Sequence, residues 1–205
     1  MILPRAFILI AFLVSLCMSG CSTVGSGVQA GRNALQTNRP NDAIAYLTPA
    51  AAADPNYQIP YRIRLGVLSY LGRAYLETGN ATEARRTLER AVRLDSGDPL
   101  AHLYLGIALL KTGEREQGRK EIEVGLGAIS DSLDYIAEDR VSGFYWDPGM
   151  QIRNDIRRSL AANLNDADLT VAAERAGRAL DEEIDKARRD EARRSGGSDS
   201  GSGGS

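Results

Sequence analysis

The sequence has few of the residues that most catalytic and metal sites need. It contains one histidine and two cysteines among 205 residues, and both cysteines lie near the N-terminus. A metal site with two histidines from one chain is therefore excluded, and a Ser-His-Asp arrangement would have to use His102. The sequence also lacks a Gly-rich phosphate loop with its lysine. We predict that the chain is not an enzyme and that it uses no metal and no cofactor.

Aromatic residues and net charge are low as well. Aromatics make up 6% of the chain and the formal net charge is -2, so no global basic field would attract nucleic acid. Apolar residues make up 43% and charged residues 25%, which is typical of a soluble globular domain. Ala, Leu and Arg dominate the middle of the chain, and these residues favour helices. The composition indicates an all-α fold and excludes nucleic acid as the expected partner.

The N-terminus has the layout of a secretory signal. Arg5 precedes an apolar run from Ala6 to Met18, which is too short for a comfortable membrane span. The run ends in Met-Ser-Gly-Cys, which resembles the lipobox of bacterial lipoproteins. The resemblance implies that residues 1–20 are removed and that Cys21 carries a lipid, so that the protein is anchored to a membrane.

Three alternatives to this interpretation remain open. Cys17 is a poorer lipidation site, because Leu16 stands where the lipoprotein family has a small residue. The N-terminus could also be a retained anchor helix or a plain signal cleaved near Gly20. Ser22 follows the cysteine where an Asp holds enterobacterial lipoproteins in the inner membrane, so the resemblance favours the outer membrane, with the protein facing the periplasm.

A repeat of 34 residues occupies the middle of the chain. The matching pairs are Leu71-Gly72 with Leu105-Gly106, Gly79 with Gly113, and Leu88 with Ile122. A third copy lies upstream at a constant offset of 41, with Gly31, Asn38, Ala43, Leu47, Ala50 and Pro55 matching Gly72, Gly79, Ala84, Leu88, Ala91 and Ser96. The larger offset indicates one insertion of about seven residues, which we place within Tyr57 to Arg64.

The pattern resembles the tetratricopeptide repeat, a helix–turn–helix unit of 34 residues. The middle copy carries it best, as Leu71-Gly72-x-x-Tyr75 followed by Ala84-x-x-x-Leu88 and Ala91. The resemblance implies three repeats within residues 21–132, at about 24–57, 65–98 and 99–132. They would stack into an all-α superhelix with a concave groove that binds protein partners. One repeat cannot bury its apolar face alone, so neighbouring repeats must pack against each other.

Residues 133–194 are predicted to form a helical cap. We expect one helix over Ser130 to Val141 and a second behind Asp147-Pro148, which is a helix-start signature. A last helix is expected from about Asp168 to Arg194. Its Asp181-Glu182-Glu183 is interpreted as part of a solvated charged face. The Gly/Ser-rich residues 195–205 are expected to be a flexible tail, either native or added to the protein.

The inner face of the first helices is the main candidate binding site. By resemblance, its residues are Val28, Arg32, Leu35 and Gln36 from the first copy, Ser69, Arg73, Leu76 and Glu77 from the second, and Leu100, Leu103, Ile107, Leu110 and Lys111 from the third. The third set is apolar and could receive an apolar helix or extended peptide. The C-terminal helices of the same chain could equally cover it. The Lys and Asn pattern by which some relatives bind a C-terminal carboxylate is absent.

Two other features have competing interpretations. Phe144, Tyr145 and Trp146 concentrate three of the few aromatics, and they form either a patch that binds a partner or glycan, or a plug that seals the last repeat. His102 stands where the repeat family has a large aromatic, and we interpret it as a packing residue.

The predicted function is that of a lipid-anchored scaffold of the bacterial envelope. Its partners would be envelope proteins of a pilus, secretion, outer-membrane or peptidoglycan machine, by analogy with lipoproteins of this architecture. A glycan-binding lipoprotein that uses the aromatic patch is the alternative.

Overall fold

The computed structural model describes residues 20–139 and 142–197. Within these residues the structure consists of helices joined by loops, with one isolated bridge between Gln58 and Gly66, which confirms the all-α prediction. A 3-10 helix, Ser142–Phe144, precedes the seventh α-helix. The α-helices are α1 Gly20–Gln36, α2 Pro40–Ala53, α3 Val67–Glu77, α4 Ala81–Leu94, α5 Pro99–Thr112, α6 Arg115–Glu138, α7 Gln151–Ala161 and α8 Asp166–Gly197.

The first six helices form three helix pairs that pack in the same way. In each pair a glycine of the first helix faces a large aliphatic residue of the second, so closely that a β-carbon on the glycine would collide with it. This close approach lets the two helix backbones lie near each other and buries the aliphatic side chain completely. The equivalent pairs are Gly31 with Leu47, Gly72 with Leu88, and Gly106 with Ile122.

Turns and caps fix the joints between these helices. Gly79 and Gly113 have φ angles of +80° and +96°, a left-handed conformation that glycine adopts without strain, and each follows a helix. The buried Asp98 caps α5, because its carboxylate accepts hydrogen bonds from the first backbone N–H groups of that helix. The same carboxylate accepts hydrogen bonds from the Gly66 N–H and the Ser69 hydroxyl, so it also joins α3 to α5.

The prediction of a separate helix over Ser130 to Val141 is wrong. Helix α6 runs without a break from Arg115 to Glu138, and the third repeat therefore continues directly into the predicted cap. Ser130 is buried within this helix and does not cap a new one. The Ser132 hydroxyl donates to the carbonyl of Ala128 one turn earlier, which satisfies it inside the helix.

Asp147 caps α7 although it lies several residues before the helix begins, whereas the sequence indicates a helix that starts directly behind Asp147-Pro148. Its carboxylate accepts hydrogen bonds from the backbone N–H groups of Ile152 and Arg153, in the first turn of α7. The chain between Asp147 and Gln151 is a turn, in which Asp147 and Met150 both have positive φ.

Helix α8 is longer than predicted at both ends. It begins at Asp166 and continues to Gly197, so residues 195–197, which we assigned to the tail, extend the helix. The rest of the expected tail lies outside the described residues, as does nearly all of the expected signal at 1–20. The proposed lipidation site Cys21 lies in the first turn of α1, and its side chain is among those not described. No helix within residues 20–139 and 142–197 combines the length and apolar character that crossing a bilayer requires.

Candidate functional site

Helix α8 lies in the concave groove formed by the first helices of the three pairs, α1, α3 and α5. Its backbone packs near α5, α6 and α7, and its polar side chains reach α1 and α3. The groove therefore holds a segment of the same chain, which is one of the two alternatives that the sequence left open. The side chains that α8 buries follow one helical stripe, namely Leu169, Ala173, Ala176, Leu180, Ile184 and Ala187.

A buried aspartate of α8 binds two arginines of the groove. Asp181 Oδ2 accepts a hydrogen bond of 2.6 Å from Arg73, and Oδ1 accepts bonds of 3.3 Å from Arg32 and 2.7 Å from the Tyr70 hydroxyl. All four side chains are buried, and Asp181 is only 2% exposed. We call these four residues the charge cluster. Because charges without partners are costly inside a protein, each member depends on the others for its burial.

The long connection between α2 and α3 covers the charge cluster from one side. Its Tyr61 hydroxyl accepts hydrogen bonds from Arg32 at 3.0 Å and from Arg188 of α8 at 2.5 Å. The Tyr61 ring lies under both guanidinium groups, with centroid distances of 5.3 and 4.5 Å, within the range of cation–π contacts. The insertion predicted within Tyr57 to Arg64 therefore supplies a residue that holds α8 in place.

Asp185 extends the contact by one helical turn. It accepts hydrogen bonds from the Gln36 side chain at 2.6 Å and from Arg32 at 3.3 Å. The bond to Gln36 is exposed to water. The polar contact between α8 and the groove is therefore buried at Asp181 and solvated at Asp185.

The electrostatics of the charge cluster keep its arginines charged and its tyrosine protonated. Burial would lower the pKa of the Arg32 guanidinium, but the nearby Tyr70 and Asp181 raise it above its ordinary value. Burial and the Asp181 carboxylate raise the pKa of Tyr70 well above its usual range, so its hydroxyl keeps its proton and donates. The two arginines and the tyrosine hydroxyl are thus arranged to donate hydrogen bonds to a carboxylate.

The predicted groove residues divide into a buried and an accessible set. The accessible residues lie at the C-terminal turns of α1, α3 and α5, whereas the buried ones, apart from Leu35 in the last turn of α1, lie further back along the same helices. The buried set is Val28, Arg32, Leu35, Ser69, Arg73, Leu100, Leu103 and Ile107. The accessible set is Gln36, Leu76, Glu77, Leu110 and Lys111.

A channel remains open between α8 and the C-terminal turns of α1 and α3, whereas the predicted groove residues Leu110 and Lys111 of α5 are not among its lining residues. Two adjoining cavities of about 400 and 470 Å³ share Leu35, Gln36, Arg73 and Arg178 among their lining residues. We call their combined space the open channel. The repeats contribute mainly apolar and amide groups such as Leu76 to its walls. Helix α8 contributes a charged stripe of Glu174, Arg178, Glu182, Lys186 and Arg189.

The three clustered aromatics do not form one surface. Trp146 is 1% exposed and its indole N–H donates to Glu191 at 3.2 Å, whereas Phe144 is 75% exposed. Tyr145 is half-buried and its hydroxyl accepts a bond from Arg194. Trp146 therefore packs the 3-10 segment against α8 and presents no free face on which a sugar ring could stack.

Asp181 is the central residue that the sequence analysis missed. The interpretation of Asp181-Glu182-Glu183 as a solvated face is wrong, because only Glu182 is exposed. Glu183 accepts a 2.6 Å bond from the Asp147 N–H and so connects α8 to the turn before α7. A signal was present in the repeat, because Arg32 and Arg73 occupy the same inward-facing position at the offset of 41. Two inward arginines at one repeat position indicate a carboxylate between them.

His102 lies between α5 and α6, away from the groove. Its Nδ1 is 2.6 Å from a Glu121 carboxylate oxygen and its Nε2 is 3.1 Å from the Ser96 carbonyl oxygen. Among the residues that the structure describes, no group of three or more His, Cys, Asp or Glu side chains is placed to hold a metal ion. The candidate functional features of the described chain are the occupied groove and the open channel.

Comparison with known proteins agrees with the repeated helix pairs. A family model described as Tetratricopeptide repeat matches residues 34–102 and, in overlap, 75–137, which together span about half of the chain. A comparison with curated proteins finds no match. Among solved structures, the first tetratricopeptide-repeat domain of Spaghetti (RPAP3), bound to an HSP90 peptide SRMEEVD, is similar with 16% sequence identity and a TM-score of 0.45. The similarity covers 69% of this chain and 95% of that one.

Proposed function

Because the chain belongs to the tetratricopeptide-repeat family, a family of protein-interaction scaffolds, we propose that it binds a partner protein along the open channel. The observation that carries this proposal is the division of the groove. Helix α8 fills the rear of the concave face and leaves the C-terminal turns of α1 and α3 accessible beside it.

The shape and chemistry of the open channel suit an extended segment of a partner. The channel runs along α8 past all three repeats, with Leu76 and Ile107 in its apolar part. Its rim on α8 alternates acidic and basic groups, which can pair with a peptide that carries both signs. Backbone amides of an extended peptide can also bond to the side chains of Gln36 and Asn38, which line the channel.

Site-specific photo-cross-linking in living cells tests this proposal. A photoreactive residue at Gln36 or Leu76 should give a cross-link to one identified protein, and the same residue at Val124, exposed on the outer side of α6, should not. With that protein purified, Leu76→Arg should weaken its binding about tenfold, the change that corresponds to 1.4 kcal/mol. Cross-links of equal yield at Val124, or unchanged binding by a folded Leu76→Arg variant, would exclude the open channel as the binding site.

We propose further that the scaffold is anchored in the cell envelope by a lipid on Cys21. Support comes from the sequence alone, namely the apolar run from Ala6 to Met18 and the small residues before the cysteine. Ser22 favours the outer membrane facing the periplasm. Such a protein would serve the assembly or regulation of an envelope machine, whose identity the partner would reveal.

Metabolic labelling with a palmitate analogue tests the anchor. Label should be incorporated into the wild-type protein and lost in Cys21→Ala, while Cys17→Ala should still be labelled. Labelling that depends on Cys17, or that is absent from the wild type, would contradict lipidation at Cys21.

A further inference from the structure

The first repeat has an outer surface without charge. From Ala43 to Ala53, helix α2 has no Asp, Glu, Lys or Arg, and α1 has none before Arg32. A groove of about 420 Å³ runs between the two helices, and we call its surface the uncharged face. Its lining residues are Val24, Ser26, Gly27, Ala30, Ala45, Tyr46, Pro49, Ala50 and Ala53.

The equivalent surface of the second repeat is strongly charged. Helix α4, the counterpart of α2, exposes Arg86, Arg90 and Arg93. Since one quarter of the chain is charged and the solvent face of a helix is normally polar, the uncharged face departs from the rest of the molecule. The repeat architecture does not require this, because α4 fills the same structural role with charges.

The chain enters the fold at this face. Residues 1–19 precede the described structure and contain the apolar run from Ala6 to Met18. Helix α1 spans Gly20–Gln36, so Cys21 lies in the same helix as Val24 of the uncharged face. At 1.5 Å per residue, Cys21 lies only about one helical turn from Val24 in the uncharged face.

We propose that the uncharged face lies against the lipid bilayer. An anchor at Cys21 joined directly to a helix holds the first repeat within a few residues of the membrane surface, where a face without charged groups has no ionic hydration to lose. The half-exposed Tyr46 has an apolar ring and a polar hydroxyl, the character of side chains found at bilayer interfaces. The later repeats and α8 would then project away from the membrane. This inference rests on the proposed membrane anchoring.

Quenching of tryptophan fluorescence by brominated lipid tests the orientation. Ala53 and Leu94 are equivalent positions of the first and second repeats, both exposed at the ends of α2 and α4. The full chain carrying Ala53→Trp or Leu94→Trp would be produced in bacteria, purified from membranes and reconstituted into vesicles of phosphatidylethanolamine and phosphatidylglycerol with brominated acyl chains. The buried Trp146 contributes the same background to both variants.

The proposal predicts strong quenching in Ala53→Trp and several-fold weaker quenching in Leu94→Trp. Equal quenching, or none at Ala53→Trp in protein that remains bound to the vesicles, would overturn it. A fluorescence change in Ala53→Trp that appears without lipid and grows with protein concentration would assign the face to a second copy of the chain. Palmitate labelling measures the anchor separately, so its failure leaves the quenching comparison to decide the orientation of whichever N-terminal anchor is present.

Discussion

The two halves of helix α8 are held in the groove by different chemistry. In the first half, from Asp166 to Leu180, the buried residues are aliphatic or small, and they pack against α5, α6 and α7. In the second half, Asp181 and Asp185 bind arginine, tyrosine and glutamine side chains of α1 and α3. One continuous helix thus joins a hydrophobic contact to a buried ionic one.

A single position of the repeat accounts for the change. Arg32, Arg73 and Ile107 are equivalent at offsets of 41 and 34, and all three are buried in the groove. The positions that pack the two helices of each pair are the same in all repeats, as the glycine contacts show. The position of Arg32, Arg73 and Ile107 faces the groove and does not pack the two helices of a pair together. Its residue can therefore change from ionic to apolar along the groove while the packing within each pair stays the same.

Replacing the carboxylate at the centre of the ionic half should have the largest effect. Asp181→Ala leaves Arg32 and Arg73 buried opposite an empty space, and losing one partner of a buried ion pair costs about 3–5 kcal/mol. We expect a loss of about 4 kcal/mol in the free energy of unfolding, measured by chemical denaturation. Hydrogen exchange should increase in the second half of α8 and in α1 more than in the first half.

The neighbouring Glu182→Ala is the matched control, because Glu182 is exposed on the same helix. Its effect should be within about 0.5 kcal/mol of zero. A loss below about 1 kcal/mol in Asp181→Ala would mean that water reaches the arginines and that the cluster is not dry.

Shortening a buried side chain in the apolar half should lower the free energy of unfolding somewhat less than Asp181→Ala and should change hydrogen exchange in a different pattern. Leu180 is completely buried, and Leu→Ala at such a site costs about 2–5 kcal/mol. We expect about 3 kcal/mol by the same denaturation measurement, with hydrogen exchange rising along the whole of α8. The exposed Leu160→Ala at the end of α7 serves as the control and should change stability little. An increase in hydrogen exchange confined to residues after 181 would match the response expected for Asp181→Ala, and it would show that the two halves do not hold α8 in different ways.

Sequence reasoning found the repeats because their signal is dense and local. Gly72 and Leu88 recur with their partners at a fixed spacing, and the structure uses that spacing for one physical purpose, the close approach of two helices. The charge cluster has no such spacing, because Asp181 is about 150 residues from Arg32 along the chain. Its burial depends on where α8 crosses the groove, and the aspartate belongs to a run of three acidic residues, a pattern that is typical of an exposed helix face.

The junction between the halves offers a third test. At Gly177, α8 approaches α5 so closely that a β-carbon would collide with the Tyr104 hydroxyl. Gly177→Ala should therefore destabilise the fold by about 1–2 kcal/mol, although alanine is the better helix former, because overpacking of a rigid ring outweighs that gain. Thermal and chemical denaturation measure the change.

Removing the hydroxyl provides the matched control for this junction. Tyr104→Phe alone should be nearly neutral or stabilising, because the buried hydroxyl has no hydrogen-bond partner among the described residues. Combined with Gly177→Ala, it should recover most of the loss. If the double variant is as unstable as Gly177→Ala alone, the collision involves the ring or Leu103 and not the hydroxyl.

Converting the ionic half into an apolar one should have the smallest effect on stability. The variant tests whether the charge cluster stabilises the fold or specifies the position of α8. The variant Arg32→Met, Tyr70→Phe, Arg73→Met, Asp181→Leu replaces the charge cluster by side chains of similar volume. Removing Arg32, Arg73 and Asp181 together avoids the buried unpaired charges of Asp181→Ala. Asp185 and Glu77, which pair with the same arginines, remain but are partly exposed to water. Such replacements are often neutral or stabilising. The original cluster is also incompletely satisfied, since Arg32 Nε has no hydrogen-bond partner among the described residues. We therefore expect the free energy of unfolding to change by about 1 kcal/mol or less.

Hydrogen exchange shows what the charge cluster contributes beyond stability. If exchange after Leu180 increases while the free energy of unfolding is unchanged, α8 has lost its fixed position, and the arginines serve to specify where the helix lies. A loss as large as that of Asp181→Ala would instead show that the ionic contact itself stabilises the closed groove.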